Sequence, residues 1–252
     1  MAKHNCAICG AEVNIFQQQQ LADKNYVCRK VCVKRAMKDF DLIGGVLYNL
    51  QEHIKQVEEG TKIYEKLFIP NKKKLKWFGA KTIAVSEELG LIAKLEDRYK
   101  IFIFGKTTRA CVYRIADLYG YEYEHEFETS MSNAASGSKT STQKKVHFTH
   151  FYFWDTPGMS DFRIKIAMPN THTTIEKYFN KLFGIQKTAT NFKMLKNQFA
   201  AVKSMGSAIK SVVSGGDDME AKAGEAAQAM ERAQYGDRTE WIAKADAALR
   251  GV

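Results

Sequence analysis

Four cysteines near the N-terminus fall into two short pairs, and their spacing constrains the fold more than any other feature of the chain. The first pair is Cys6 and Cys9 in "CAICG", and the second is Cys28 and Cys32 in "CRKVC". Thiolates bind Zn²⁺ tetrahedrally, and two cysteine pairs on separate turns can converge on one ion. The pattern C-x2-C, eighteen residues, C-x3-C therefore predicts a Zn²⁺ site with four cysteine ligands.

The predicted ion is structural, because four thiolates leave no open position at which a water molecule is activated. Two alternatives stay open. His4 replaces one cysteine, since a C-x3-C second pair is less usual than C-x2-C, or the four cysteines are buried separately. Cys111, in the apolar run "RACVYRI", is interpreted as a core residue.

The first 40 residues are expected to form a treble-clef or zinc-ribbon module. Residues 12–16 and 21–27 suit a hairpin joined by a turn of four glutamines, and the residues after Cys28 favour a helix because they contain no proline or glycine. A spacing of four places Cys28 and Cys32 on one face at the start of that helix. A module of this size has little core, so the metal is expected to supply much of its folding energy.

The composition is that of a folded, basic protein. Of 252 residues 45% are apolar, and the formal net charge of +10 indicates nucleic acid, anionic lipid or an acidic protein as partner. The sequence has no run of about 18 apolar residues, and its N-terminus has no apolar signal region. We therefore expect a cytoplasmic protein, whose reduced cysteines favour metal binding over disulfides.

Positive charge is concentrated in the N-terminal module and in a later lysine run. Residues 1–40 carry seven Lys or Arg against three Asp or Glu, and residues 72–76 carry four lysines. The candidate contacts with phosphates or a protein partner are Arg29, Lys30, Lys34, Arg35, Lys72, Lys73, Lys74 and Lys76. If the partner is nucleic acid, the candidate phosphate contacts are Lys24, Arg29, Lys30, Lys34, Arg35 and Lys38. The competing interpretation of the lysine run is a solvated loop.

Two short motifs resemble nucleotide-binding pieces without meeting their requirements. A P-loop needs G-x4-G-K-[ST], but the residue five before Gly105 is Lys100, and residues 101–104 are typical of a strand. We interpret "GKTT" at 105–108 and "DTPG" at 155–158 as turns. No catalytic residue, bound nucleotide or small-molecule substrate is predicted.

The middle of the chain alternates between helical and strand periodicity. Residues 41–58 predict an amphipathic helix, and "YGYEYEHEFE" predicts a strand with one buried face. Short strands are predicted at 83–85, 89–95, 99–104 and 110–115. A mobile Ser/Thr/Gly-rich loop at 129–145, a long hairpin and an amphipathic helix ending at Gly184 follow. Six or seven antiparallel strands closed by a helix is the order expected of a pleckstrin-homology-like (PH-like) β-barrel.

The end of the chain is predicted to be helical. Residues 186–213 form a basic amphipathic pattern with five lysines and no acid, and the Ala-rich remainder suits one helix to about residue 234 and another at 237–249. A hinge is expected near 215–218. The basic helix packs within the protein or an oligomer, binds another protein, or lies on a membrane.

These patterns predict an α+β protein of four parts. The parts are a zinc-ribbon-like module (1–40), a linker helix (41–60), a PH-like antiparallel β-barrel closed by a helix (61–185) and a helical C-terminal tail (186–252).

The first part resembles a known family. With "CAICGAEVNIF", "LADKNYVC" and the trailing Cys32, it is similar to the zinc-ribbon-like module of domain-of-unknown-function family 4428, found in bacteria and their phages. Residues 60–185 resemble the bacterial PH-like domains often joined to that module. The resemblance implies that the four cysteines are the ligands, although the family's second pair is usually C-x2-C. It implies no established activity.

Together these features predict a non-enzymatic binding or adaptor protein that acts through protein–protein contacts of the PH-like domain and tail, or through self-association. One alternative is nucleic-acid binding by the basic zinc module, and another is peripheral association with an anionic membrane. An enzyme is not predicted, because no nucleophile, base and acid form a recognisable set. A phage-related role is suggested only by the family's associations.

Overall fold

The N-terminal module consists of two small antiparallel strand pairs followed by a short helix. The structure, a computed structural model, describes residues 4–100, 105–133, 139–154, 156, 158–184 and 238–252. Strand β1 (His4–Asn5) pairs with β2 (Glu12–Val13), β3 (Gln18–Gln20) pairs with β4 (Tyr26–Cys28), and helix α1 covers Cys32–Arg35.

The hairpin turn lies later in the sequence than predicted. Three of the glutamines form β3, and Gln18 pairs with Cys28. The reversal falls at 21–25, where the Leu21 N–H donates to the Asn25 carbonyl and the Asp23 carboxylate accepts the Asn25 N–H. Asp and Asn side chains stabilise turns through such local bonds, whereas glutamine does not. The prediction of a glutamine turn was therefore wrong.

The linker helix also begins later than predicted. Helix α2 covers Leu47–Ile63, because the Asp41 carboxylate accepts the N–H groups of Ile43 and Gly44 and holds residues 41–44 in a turn. Its buried face includes Leu50, Ile54 and Val57, as the periodicity predicts. A wider helical turn at Tyr64–Phe68 and a 3-10 turn at Lys72–Lys74 follow.

A four-stranded antiparallel sheet follows, with the strands in chain order. It contains β5 (Lys76–Phe78), β6 (Ile83–Ser86), β7 (Leu91–Lys100) and β8 (Gly105–Arg114). "GKTT" lies in β8, with Gly105 paired to Lys100, so the prediction of a turn there was wrong. Residues 101–104, predicted as strand, lie outside the described residues. "DTPG" includes Asp155 and Pro157, which also lie outside them.

Helix α2 crosses this first sheet at a glycine. A Cβ atom on Gly60 would lie 2.5 Å from the Ala110 carbonyl oxygen and 2.9 Å from the Val112 nitrogen, both in the β8 backbone. The core beside this crossing contains Tyr64, Phe68, Leu75, Ala84, Leu91, Ala93, Leu95 and Ala110. Ala245 of the final helix α4 (Thr239–Leu249) belongs to the same core, so the predicted last helix is present.

A three-stranded sheet has the order β11-β10-β9, from β9 (Leu118–Asn133), β10 (Lys139–Phe153) and β11 (Asp161–Ile166). The predicted loop at 129–145 is therefore largely strand, because backbone pairing outweighs its Ser/Thr-rich composition. The tyrosine-rich segment is a strand as predicted, but its buried face was overestimated. Tyr121 and Tyr123 are half-buried, whereas His125 and Phe127 are exposed.

The chain divides into two compact units. One comprises Met1–Leu118, His150–Lys165 and Trp241–Val252, and the other comprises Tyr119–Thr149 and Ile166–Glu240. In the second unit, helix α3 (Pro169–Leu182) buries Ile175 and Phe179 and ends just before Gly184, as predicted. None of the described helices is long and apolar enough to cross a membrane. The predicted helix at 186–213 and hinge at 215–218 lie outside the described residues.

His53 of α2 is a neutral side chain buried in the first unit. Its side chain is fully buried, its Nε2 accepts the Met37 N–H at 3.1 Å, and its Nδ1 lies 3.0 Å from the Gln56 Oε1. An acceptor at Nε2 leaves the proton on Nδ1, which then donates to Gln56. Burial lowers the pKa of His53 below its usual range, although the Gln56 bond opposes this.

We expect His53 to make the fold sensitive to mild acid. Because its folded pKa is lowered, the unfolded chain takes up the proton first, and stability falls as pH drops below about 6.5 towards the folded pKa. The free energy of unfolding can be measured with urea at about pH 7.5 and at about pH 5.5. Between these two pH values it should fall by about 1 kcal/mol more in the wild type than in His53→Gln, whose amide does not titrate. An equal pH dependence in both proteins would show that His53 contributes nothing to it.

Candidate metal centre

The sulphur atoms of the four paired cysteines lie together in the N-terminal module. The Cys6 Sγ lies 3.7 Å from the Cys32 Sγ, and the Cys9 Sγ lies 3.7 Å from the Cys28 Sγ. All four sulphur atoms lie within 4.8 Å of one another. Cys6, Cys28 and Cys32 are buried, whereas Cys9 is exposed. Among the described residues, this is the one group of three or more His, Cys, Asp or Glu side chains close enough to share a metal ion.

Each cysteine pair is held by its own backbone turn. In the first turn, the Gly10 N–H donates to the Cys6 carbonyl at 2.8 Å, and Gly10 has a φ of +74°, which L side chains rarely adopt. In the second turn, Cys28 ends β4 and Cys32 begins α1. The expectation that both lie on one helical face was wrong, because the three intervening residues form a turn and only Cys32 is helical.

Backbone N–H groups point at two of the sulphur atoms. The Cys28 N–H donates to the Cys6 Sγ, and the Cys32 N–H donates to the Cys28 Sγ, each at 3.3 Å. Burial raises the pKa of the Cys6 thiol, but the backbone N–H donors of Cys9, Ile8 and Cys28 together outweigh burial and lower the pKa to about 6. Such donors stabilise negative charge on sulphur, as a metal-binding thiolate requires.

The Cys32 thiol resists deprotonation when no cation is present. Burial raises the pKa of Cys32 well above its usual range, and the neighbouring Cys28, Cys9 and Cys6 raise it further. Four thiolates in one place repel each other unless a cation lies among them. The cluster therefore has the donor set and the electrostatics of a site that needs a metal ion to hold all four sulphurs ionised.

Two of the six distances between the four sulphur atoms match a tetrahedral ion, and none of the six exceeds 4.8 Å. A metal–sulphur bond of about 2.3 Å gives a tetrahedron with edges of about 3.8 Å, close to the two measured distances of 3.7 Å. These distances are too long for a disulfide, whose sulphur atoms are about 2.05 Å apart. The cluster is compatible with a metal site, as the cysteine spacing predicts.

The other candidate metal-site residues lie elsewhere. The His4 ring stacks on Tyr26, with ring centroids 3.9 Å apart. Cys111 is fully buried in β8, and burial raises its pKa to about 12, which is consistent with an unreactive core thiol. The C-x3-C spacing still brings the Cys32 sulphur into the cluster.

The cations predicted to contact a partner differ in their surroundings: two form ion pairs within the chain, and the others are exposed. Arg35 forms an ion pair with Glu58 at 2.6 Å, and Lys74 forms one with Glu88 at 2.9 Å. Arg29 and Lys30 are exposed in the turn between the second cysteine pair. The other predicted cations, all exposed, are Lys24, Lys34, Lys38, Lys72, Lys73 and Lys76. Arg29, Lys30 and Lys34 are thus the exposed cations of this set nearest the cluster in sequence.

Two arginines that the sequence analysis missed hold the end of α1. Arg98 of β7 donates to the carbonyls of Lys34 and Ala36 at 2.7 and 2.9 Å, and Arg109 of β8 also donates to the Lys34 carbonyl. Cations at a helix C-terminus satisfy its unpaired carbonyls and stabilise its dipole. Nothing local in the sequence connects these arginines to residue 34, which is more than sixty positions away.

A further concave region is a cleft lined by residues of the first unit. It has a volume of about 500 Å³ and is bordered by Asp39, Asp41, His150 and Asp161. Its charged groups are engaged with neighbours. Asp39 pairs with the buried Lys94, and the Asp161 carboxylate lies 2.8 Å from the His150 Nε2. These pairs stabilise the walls of the cleft.

Comparison with known proteins adds no relative. No protein-family model matches the chain, and neither does any curated protein or solved structure. The resemblance to family 4428 and to PH-like domains therefore stays a prediction from the sequence.

Proposed function

We propose that this chain is a non-enzymatic binding protein whose N-terminal module is held together by one structural Zn²⁺. The proposal depends on the four-sulphur cluster, whose spacing suits a tetrahedral thiolate site. Thiolate ligands favour Zn²⁺ over the hard cations Mg²⁺ and Ca²⁺. An ion with four protein ligands binds no water, so Cys6, Cys9, Cys28 and Cys32 would serve to shape the module.

The β strands support a binding role by their order. A four-stranded sheet (β5–β8), a three-stranded sheet (β9–β11) and then helix α3 follow one another along the chain. That order is the one expected of a PH-like domain, and such a domain presents surfaces to other proteins. This step is an analogy of fold, so the partner class it suggests is a protein or a second copy of this chain.

Native mass spectrometry of the full chain, purified at low salt from its own host, tests both parts of the proposal on one sample. We expect one zinc ion per chain, together with a protein or a second copy bound at fixed stoichiometry that rebinds when the purified components are mixed. A chain that stays fully folded after chelation would contradict the zinc site. A chain that binds no protein and turns over a substrate would contradict the binding role.

A further inference from the structure

Three large apolar side chains of the N-terminal module face water beside two cations. Ile15, Phe16 and Val31 are 46%, 73% and 58% exposed. Arg29 and Lys30 precede Val31 and are also exposed. We call these five residues the Phe16 patch. The Arg29 N–H donates to the Gln17 carbonyl at 2.8 Å. Phe16 and Lys30 adjoin the two bonded residues in sequence, so their backbone segments lie next to each other.

A hydrogen-bonded turn sets the exposure of Phe16. The Asn14 side chain accepts the Phe16 N–H at 3.0 Å, and the Asn14 carbonyl accepts the Gln17 N–H at 2.9 Å. Ile15 and Phe16 therefore occupy the two central positions of a four-residue turn, which point away from the module. Its core is filled by other residues, among them Val13, Leu21 and Val27. A large exposed aromatic residue in a fixed turn is a feature of binding surfaces.

The charge of the patch is positive. The Arg29 Nη2 donates to the Gln19 Oε1 at 3.0 Å, and this partner is a neutral amide that carries no charge to offset the guanidinium. Asp23, one of three acidic residues among the first 40, lies at the opposite end of the β3–β4 hairpin, where its carboxylate accepts the Leu47 N–H. The patch thus combines an exposed ring with two cations, and the amide of Gln19 in β3 adjoins it through Arg29.

We propose that the Phe16 patch binds single-stranded nucleic acid, with one base stacked on Phe16 and the adjacent phosphates on Arg29 and Lys30. Stacking on an exposed ring next to cations is how proteins bind unpaired strands, and a paired duplex offers no free base faces. An acidic peptide would use the two cations but gains little from the ring. The proposal adds a second binding activity. It rests on the proposed function in one respect, which is that the N-terminal module is folded around zinc.

Fluorescence anisotropy on the full zinc-loaded chain tests this proposal. The probe is a labelled single-stranded oligonucleotide of about 12 nucleotides, compared with the duplex of the same sequence over a range of salt concentrations. Phe16→Ala should weaken binding about tenfold or more, because base stacking is lost. The double variant Arg29→Ala, Lys30→Ala should reduce the slope of log affinity against log salt by about 1.4, since two phosphate contacts disappear.

Matched controls keep the test specific. Phe127→Ala removes another exposed aromatic ring, 61% exposed, and Lys62→Ala removes an exposed cation of α2, outside the N-terminal module. Both should bind the single strand as the wild type does, and all variants should keep the wild-type zinc content.

Four results would overturn the proposal. Three of them are a wild-type chain with normal zinc content that does not bind the single strand at low salt, a preference for the duplex, and an unchanged affinity in Phe16→Ala. Competition by polyglutamate peptide that does not depend on Phe16 would also overturn it, because it assigns the patch to an acidic protein. A chain lacking zinc would instead count against the proposed function, so the two failures are distinguishable.

Discussion

Serine in place of Cys32 is expected to empty the metal site and unfold the N-terminal module. Cys32 is fully buried, and its sulphur is one of only four donors in the cluster. Structural zinc contributes on the order of 10 kcal/mol to small modules, whereas a whole domain is stable by about 5–15 kcal/mol. The module's core cannot offset this loss, since three of its buried members, Cys6, Cys28 and Cys32, are themselves cluster residues.

The measurement is zinc content by elemental mass spectrometry together with thermal unfolding of the same sample. Zinc should fall from one ion per chain to nearly none. Cys111→Ala is the matched control, because Cys111 is also a fully buried cysteine but lies in β8, outside the cluster. It should keep its zinc and lose only about 1 kcal/mol of stability. A Cys32→Ser protein with full zinc content would mean that this sulphur is not a ligand.

Alanine at Gly60 is expected to destabilise the first unit by about 2 kcal/mol or more, although alanine is the better helix former. The intrinsic helix preference of alanine over glycine is about 1 kcal/mol. The added methyl group would lie 2.5 Å from the Ala110 carbonyl oxygen and 2.9 Å from the Val112 nitrogen, and neither backbone atom can rotate away as a flexible side chain would. Moving α2 away from β8 sacrifices packing along the whole contact, so the steric cost exceeds the propensity gain.

Urea unfolding of Gly60→Ala and of the adjacent Glu59→Ala measures this difference. Glu59 is exposed on the same helix, so its replacement should change the free energy of unfolding by less than about 0.5 kcal/mol. A Gly60→Ala protein more stable than the wild type would mean that α2 does not approach β8 as closely as described.

The features that sequence predicted best are those set by short-range chemistry. The cysteine spacing predicted the cluster because each pair is built within a few residues, and the periodicities of α2 and α3 predicted their buried faces. The β1–β2 pair was missed because a two-residue strand carries too little pattern. The glutamine turn was wrong because the Asp23 and Asn25 side chains stabilise the reversal further along the chain.

Features that depend on distant residues could not be predicted. Arg98 and Arg109 bond to carbonyls more than sixty residues away, and the close approach that requires a glycine at position 60 involves β8. Within the Phe16 patch, the two cations were candidates from the sequence. The ring beside them was not, because nothing in "NIFQ" distinguishes an exposed phenylalanine from a buried one.

The contact of Arg98 and Arg109 with α1 holds two cations close together. Burial lowers the pKa of Arg109, and the positive charge of the nearby Arg98 lowers it further. Glu96 pairs with Arg98 at 2.5 Å, and the helix carbonyls of Lys34 and Ala36 supply further negative partners. If the N-terminal module unfolds, those carbonyls leave, while Glu96, which pairs with Arg109 across β7 and β8, stays beside both guanidinium groups. Unfolding of the module would thus leave fewer negative partners for two cations in a β-hairpin that contains none of the four clustered cysteines.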